Sequence, residues 1–263
     1  MEVKSFTLHN IGRFSKLKIP LAPLESGDGN VTVFVGNNGS GKTSILRSLA
    51  TSLSWLVSRI VSEKGNGSPI SELAIKNGEN SAAIQTTFNA DHLQLVFSSY
   101  SWSVAKSRKG RKKQLESDYA WATAIANAYR TRLTNDETTS LPLIAFYSVE
   151  RSVTDINLKI SGKNTFSQID GYDGSLNQGI DFNRFFEWYR EREDSENESG
   201  ISEDALEQVK QVLGDHNSTW KALSDLNASN RDRQLTAVRT AIYTFIPEFS
   251  NLRVNRKPRL HMS

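Results

Sequence analysis

The 263-residue chain contains no cysteine, which excludes disulfide frameworks, thiolate zinc sites and cysteine nucleophiles. Its four histidines, His9, His92, His216 and His261, lack the spacing of metal ligands. No apolar run approaches the roughly 20 residues that a membrane-spanning helix needs. The N-terminus, MEVKSFTLHNIGRF, also lacks the apolar stretch of a secretory signal. We therefore expect a cytoplasmic protein without a membrane partner.

The chain also lacks a large excess of either charge, because 32 Lys and Arg residues nearly balance 29 Asp and Glu residues and leave a net charge of +3. Whole-chain charge therefore gives no argument for nucleic-acid binding. One local exception is the basic run Lys106–Lys113, with six positive charges in eight residues. This run could contact the phosphates of DNA or of an RNA–DNA partner, with Tyr100 and Trp102 stacking on bases. The alternative, a solvated loop, is favoured because charge runs are often disordered.

The first 62 residues alternate between strand-like and helical patterns. Weak alternation of apolar residues predicts two short strands around the break at Asn10–Arg13. The β-branched run Val31–Val35 is apolar on both faces, which is typical of a central parallel strand. From Lys42 to about Ser62, apolar residues recur at three- and four-residue spacing and predict a helix. Strand, glycine-rich loop and helix in this order form one half of an α/β unit.

The remaining secondary structure is predicted from shorter signals. Residues 82–88 and 92–97 are expected to pair as a hairpin, and Leu141–Tyr147 is expected to form a buried strand. Apolar spacing predicts further helices at about 117–131, 182–197, 206–213 and 235–246.

Four aromatic residues lie close together in the helix predicted at 182–197: Phe185, Phe186, Trp188 and Tyr189. They could form a docking surface, since aromatic residues are enriched at the centres of interfaces. Packing inside a helical lobe is the favoured alternative.

The segment Gly36–Thr43, GNNGSGKT, fits the phosphate-loop pattern G-x-x-x-x-G-K-[ST] at every fixed position. Glycines allow a tight turn that brings N–H groups close to phosphate oxygens, and the following helix adds a dipole that favours anions. We expect Lys42 to act as the catalytic cation at the β- and γ-phosphates, and the Thr43 hydroxyl to bind Mg²⁺. The nucleotide-binding residues predicted here are Gly36, Asn37, Asn38, Gly39, Ser40, Gly41, Lys42, Thr43 and Ser44, with ATP and Mg²⁺ as cofactors.

The stretch FVGNNGSGKTSILRSLA, preceded by LHNIGRFSKLKI, resembles the RecF/SMC/Rad50-like branch of the ABC ATPases. Within that branch it is most similar to the ATPases of bacterial anti-phage systems, such as the Septu and retron-associated ATPases. Three further stretches share the likeness: LPLIAFYSVERS, FFEWYREREDSENE and AIYTFIPEFSNLRVNRKPRLHM.

The resemblance implies an α/β fold of the P-loop NTPase class, an ABC-type head with a mixed sheet and a phosphate-loop helix, plus a helical lobe. Residues 1–150 would form the nucleotide-binding lobe and residues 151–263 the mainly helical lobe. In this family ATP is held between two heads, so a self-dimer or higher oligomer is implied, together with a partner effector that is a nuclease. Arg13 occupies the position that lies near the adenine in the family, although a solvated loop residue is an equally good interpretation.

Two family motifs are absent from the sequence. No strand of four apolar residues is followed by Asp-Glu, and Leu223–Leu226 begins like the signature motif but lacks its glycine. We therefore expect the N-terminal part of a longer ATPase, without its C-terminal half, which would turn over ATP poorly by itself. A naturally short nucleotide-binding protein is the alternative.

Three other functions remain open at this point. A DNA-repair or chromosome-maintenance ATPase of the RecF type would use the same two heads, but the sequence sustains no long coiled coil. A small-nucleotide kinase would use the same phosphate loop with an arginine-bearing lid. A non-catalytic scaffold would bind nucleotide without releasing phosphate.

Overall fold

The computed structural model describes residues 1–23, 29–93, 99–147, 167–176, 182–199, 203–214, 217–229, 231–249, 252–255 and 261–262. These residues divide into two compact units. The first comprises the described residues up to 147 together with 167–176, and the second comprises those from 182 onward. None of the described helices is both long and apolar enough to span a bilayer.

The first unit is built on a four-stranded sheet in the order β2-β1-β3-β4. Its strands are β1 (Glu2–Ile11), β2 (Phe14–Pro20), β3 (Ser81–Asn89) and β4 (Tyr100–Ser107). Every pair in this sheet is antiparallel. The two predicted strands around Asn10–Arg13 are therefore confirmed.

One face of the sheet carries the hydrophobic core. The register places four apolar residues in one row across the strands: Leu17, Leu8, Ile84 and Val104. Helices α1 (Lys42–Val61) and α2 (Ala120–Asn135) contribute Leu56, Ile60 and Ile125 to the same cluster. The helix predicted from Lys42 is confirmed, because its apolar residues follow the 3.6-residue period on the face that is buried.

A buried polar contact ties α1 to the sheet. Ser52 on α1 lies 2.6 Å from the hydroxyl of Thr86 on β3, measured between the two oxygen atoms. The indole N–H of Trp102 on β4 donates to the same Ser52 hydroxyl at 2.8 Å. Because these groups satisfy one another inside the core, they fix the helix against two adjacent strands.

Two predicted strands are wrong. Val31–Val35 and Leu141–Tyr147 belong to no strand, and Val35 and Leu143 are 92% and 97% exposed. β-branched runs favour strands only when a neighbouring strand supplies ladder hydrogen bonds, and the described residues place none beside either segment. The expected mixed sheet is corrected accordingly, since the described ladders are all antiparallel.

The predicted hairpin of 82–88 with 92–97 is half right. Residues 82–88 lie within β3, but Asp91–Leu93 form a short 3₁₀ helix and 94–97 lie outside the described residues. The next strand along the chain that pairs with β3 is instead β4, through Ile84–Val104 and its neighbours. The helix predicted at 117–131 is α2, shifted by a few residues.

The second unit consists mainly of helices: α3 (Phe182–Ser199), α4 (Glu203–Leu213), α5 (Ser218–Ser229) and α6 (Arg233–Phe245), with the short strands β5 (Val254–Asn255) and β6 (His261–Met262). Its core contains Tyr189, Leu235, Leu252 and Val254. Three of the four aromatic residues of α3, Phe185, Phe186 and Trp188, pack against this cluster, and Tyr189 lies inside it. Core packing therefore accounts for that group.

An ion pair and several hydrogen bonds join the elements of the second unit. Arg239 on α6 donates to the Glu196 carboxylate at 2.8 Å and to the Tyr189 hydroxyl at 2.8 Å, both on α3. The nearly buried carboxylate of Glu193 accepts the backbone N–H of Val254 at 3.0 Å. These contacts join α3, α6 and β5 through groups that satisfy each other's hydrogen bonds.

Candidate nucleotide-binding site

The glycine-rich loop Gly36–Gly41 leads directly into α1. Gly39 and Gly41 have φ angles of +78° and +97°, in the left-handed region that glycine adopts without strain. The N–H of Ser40 donates to the Asn37 carbonyl at 3.1 Å, which closes the turn. Gly41 is the N-cap of α1, and its carbonyl accepts the N–H of Ile45 at 3.0 Å. The sequence pattern thus gives a tight loop ending at a helix N-terminus.

This N-terminus is suited to an anion. The first four N–H groups of a helix have no partner within the helix, and Gly41 has no side chain to cap them. The first turn of α1 contains no acidic residue that would compete for the same position. The dipole of a 20-residue helix adds a partial positive charge at this end. These features together fit a phosphate group.

Lys42 places its ammonium group over the loop. Its Nζ donates to the carbonyls of Gly36 at 2.6 Å and Asn37 at 2.9 Å. The Ser40 hydroxyl lies 3.5 Å from the same nitrogen. The ammonium charge is therefore held against the backbone of the loop itself.

The two hydroxyl residues that follow differ in exposure. Thr43 is exposed, whereas Ser44 is half-buried. The Ser44 Oγ faces Gly12, since a Cβ added at Gly12 would lie 3.8 Å from it. The exposed Thr43 hydroxyl suits one position on a Mg²⁺ ion whose other ligands come from phosphate and water. Within the described ranges no group of three acidic or histidine residues forms a protein cage for a metal.

Arg13 reaches the same loop. It lies in the turn between β1 and β2, and its guanidinium Nη1 is 3.4 Å from the Gly39 carbonyl oxygen. The structure thus brings Arg13 together with the loop residues across 26 positions of sequence. Its stacking on an adenine stays a prediction.

The turn that carries Arg13 is braced by a segment that sequence reasoning missed. Asn10 has a φ of +53°, uncommon for a non-glycine residue, and its side-chain amide donates to the Ser81 carbonyl at 3.1 Å. The N–H of Gly12 donates to the Ala74 carbonyl at 2.7 Å, and the N–H of Lys76 donates to the Asn10 carbonyl at 2.9 Å. The Asn-x-Gly pattern was an available signal for this left-handed turn.

The basic run is partly a structural element. Lys106 belongs to β4, and Arg108 donates from Nε to the Glu79 carbonyl and from Nη2 to the Ile75 carbonyl, both at 2.9 Å. Tyr100 and Trp102 are 2% and 1% exposed, so the suggested stacking of these rings on bases is wrong. Both rings belong to the core.

The sequence matches the model of the AAA_23 family, described as an AAA domain, over residues 5–242. The chain belongs to this family. Membership implies an ATP-binding domain, and the matched segment includes the whole phosphate loop and Arg13.

Two curated relatives agree with this assignment. The chain is 30% identical over 87% of its length to the "Retron Ec83 probable ATPase" of Escherichia coli, and covers 48% of that protein. It is 27% identical over its full length to the "Retron Vc95 probable ATPase" of Vibrio cholerae serotype O1 biovar El Tor, and covers 54% of it. The resemblance to retron-associated ATPases is confirmed. The chain spans about half the length of these relatives.

One solved structure is also similar, from work titled "Structural biochemistry of ATP-driven dimerization and DNA stimulated activation of SMC ATPases". It has 18% identity and covers 53% of this chain and 93% of the other, with a TM-score of 0.33. At that TM-score the two folds cannot be equated.

Proposed function

We propose that this chain binds ATP with Mg²⁺ through the loop Gly36–Thr43 and is the nucleotide-binding part of a retron-type ATPase. The observation that carries this proposal is the position of Lys42, whose ammonium lies over the loop at the N-terminus of α1. Lys42 would neutralise the β- and γ-phosphates, the loop N–H groups would bind phosphate oxygens, and Thr43 would bind Mg²⁺. Arg13 would lie at the adenine side.

Hydrolysis needs groups that the described residues do not bring to this loop. A carboxylate must help to hold Mg²⁺, and another residue must orient the attacking water. We expect further polypeptide to supply both, as part of a complete head. The exposed apolar side chains of the two segments that form no strand support this expectation: Val31, Val33, Val35, Leu143 and Tyr147. Large apolar side chains exposed at several positions of a segment suit contact with further polypeptide.

We further propose that two such heads enclose ATP between them, and that the closed dimer controls a partner nuclease in anti-phage defence. The names of the two curated relatives support the retron context. Nucleic acid remains a candidate partner through the exposed cations of the basic run, Lys109, Arg111, Lys112 and Lys113. The RecF-type repair ATPase and the nucleotide-dependent scaffold stay as alternatives.

Titration of the chain with a fluorescent, non-hydrolysable ATP analogue and Mg²⁺ tests the binding proposal. Hydrogen bonds to charged groups contribute about 1.5–3 kcal/mol, so Lys42→Ala should weaken binding about tenfold or more. Lys64→Ala removes the same charge from an exposed turn outside the loop and serves as the matched control. Equal affinities for the wild type and Lys42→Ala would refute the assignment.

Phosphate release by the same preparations separates an ATPase from a scaffold. The chain alone should bind the nucleotide while releasing phosphate slowly, because among the described residues no carboxylate contacts Lys42. Rapid release by the chain alone, lost in Lys42→Ala, would contradict the expectation that further polypeptide is needed.

A further inference from the structure

The ring of Phe14 packs against the phosphate loop at Gly41. A Cβ added at Gly41 would lie 2.8 Å from both Cε2 and Cζ of Phe14, closer than side-chain atoms normally approach. From this contact we infer that Phe14 is a positioning residue, which holds the phosphate loop in its binding conformation by covering Gly41. The inference deepens the nucleotide-binding function proposed above and rests on it.

Phe14 is itself held firmly in place. It is the first residue of β2 and pairs with Ile11 across the β1–β2 turn. Its side chain is half-buried and packs against the main core. The turn before it is fixed by the hydrogen bond from Gly12 to Ala74 and by the left-handed Asn10. The strand and the core therefore limit the movement of the Phe14 ring, and the ring in turn limits the movement of Gly41.

Gly41 is the loop residue whose conformation has the largest effect on the phosphate-binding N–H groups. It immediately precedes Lys42, caps α1 and has the left-handed φ of +97° that turns the chain from loop into helix. If Gly41 changed its conformation, the N–H groups of Lys42 and Thr43 would point elsewhere. The loop would then have to be reordered when nucleotide binds, and that ordering would reduce affinity.

Few other described contacts reach the loop from the sheet. Arg13 meets the Gly39 carbonyl at 3.4 Å from an exposed position, which is a long and solvent-screened contact. The neighbouring residue Ser40 is held within the loop by Asn37 and Lys42. Among the described residues the Phe14 ring thus makes the closest approach to Gly41, since a Cβ added there would lie 3.7 Å from Arg13 Cδ but 2.8 Å from the ring.

Three substitutions test this role by the affinity for Mg²⁺ and a non-hydrolysable ATP analogue. Phe14→Leu keeps an apolar side chain but loses the flat ring, and should raise the dissociation constant about tenfold. Phe14→Tyr keeps the ring and should remain within about twofold of wild type. Leu17→Ala, on the same strand, trims a core side chain and should lower the melting temperature while leaving the affinity nearly unchanged.

If Phe14 only stabilises the fold and does not position the loop, the variants should behave differently. In that case Phe14→Leu and Leu17→Ala would both lower the melting temperature, and both would bind the analogue like the wild type below their transitions. That outcome would overturn the inference. Failure of the wild type itself to bind the analogue would instead overturn the proposed function.

A second set of variants examines the contact without any nucleotide. Gly41→Ala combines backbone strain with a clash against Phe14, whereas Gly39→Ala has a similar φ of +78° and meets nothing within 4 Å. Gly41→Ala should therefore lower the melting temperature more than Gly39→Ala. Adding Phe14→Ala should narrow this difference, because the clash disappears while the strain remains. An unchanged difference in the Phe14→Ala background would show that the ring does not press on Gly41.

Discussion

Removal of the Ser52 hydroxyl should destabilise the first unit more than its small size suggests. Ser52 Oγ lies 2.6 Å from Thr86 Oγ1 and accepts the indole N–H of Trp102 at 2.8 Å. All three residues are essentially buried. In Ser52→Ala, the Thr86 hydroxyl loses this partner, and Trp102 keeps only the longer contact with the Ser52 carbonyl at 3.3 Å.

The expected magnitude follows from these lost partners. A buried polar group without its hydrogen bond costs about 1–3 kcal/mol, so we expect Ser52→Ala to lower the free energy of unfolding by about 2–3 kcal/mol. Thr86→Val preserves shape and removes one of the two partners of the Ser52 hydroxyl, which keeps the Trp102 N–H, so we expect a smaller loss of about 1–2 kcal/mol. The double variant has neither hydroxyl to leave unpaired. Its loss should therefore be smaller than the sum of the two single losses, by about 1 kcal/mol or more.

Urea unfolding followed by far-ultraviolet circular dichroism measures these differences. Thr87→Val is a suitable control, because Thr87 lies next to Thr86 on β3 but on the opposite, more exposed face. Strictly additive losses in the double variant would show that Ser52 and Thr86 do not form a coupled pair. The account of how α1 is fixed to the sheet would then be incorrect.

Two further predictions concern stability alone. Gly65→Ala should lower the melting temperature strongly, because the new Cβ would lie 1.9 Å from the Ser58 carbonyl oxygen. Gly171→Ala is the control, because its Cβ meets nothing within 4 Å and the change should be nearly neutral. Equal melting temperatures for the two variants would contradict the packing at the end of α1. The pKa of His92 is lowered from 6.5 by burial, by the N-terminal amine and by Arg132, so the folded chain binds this proton more weakly than the unfolded chain. The stability that the neutral His92 ring contributes should therefore be complete above pH 6.5, and it should decline as the pH falls from 6.5 through the pKa of the folded chain. An NMR titration of the folded chain that gives the ring a pKa above 6.5 would refute the reasoning.

Local signals in the sequence predicted the parts of the fold that depend on local chemistry. The helix from Lys42 was visible because its apolar spacing matches the face that α1 buries. The loop before it was visible because its glycines are needed for the left-handed backbone that the structure shows at Gly39 and Gly41. These features require only neighbouring residues.

The errors arose where structure depends on distant partners. Val31–Val35 has strong β propensity, but a strand also needs a neighbour to complete its hydrogen bonds, and propensity cannot identify that neighbour. Helix α5 (Ser218–Ser229) was missed because its polar composition obscures the apolar period. Its start is marked by Asn217, whose side-chain carbonyl accepts the N–H of Thr219 at 2.8 Å.

The candidate site likewise contains local features that the sequence predicts and distant contacts that it does not. The phosphate-loop residues could be identified by pattern, whereas the contact of Phe14 with Gly41 joins residues 27 positions apart and appears only in three dimensions. The brace of the β1–β2 turn likewise depends on Ala74, Lys76 and Ser81. No sequence period links these residues to the loop.

The central claim is that backbone N–H groups of the loop bind the phosphates of a nucleotide. Glycine-selective ¹⁵N labelling allows this to be measured directly by NMR, with Mg²⁺ and a non-hydrolysable ATP analogue added to the chain. The account predicts that the amide signals of Gly36, Gly39 and Gly41 shift on saturation, while those of Gly78 and Gly171 stay in place. Unmoved signals from the three loop glycines at saturating analogue would contradict it.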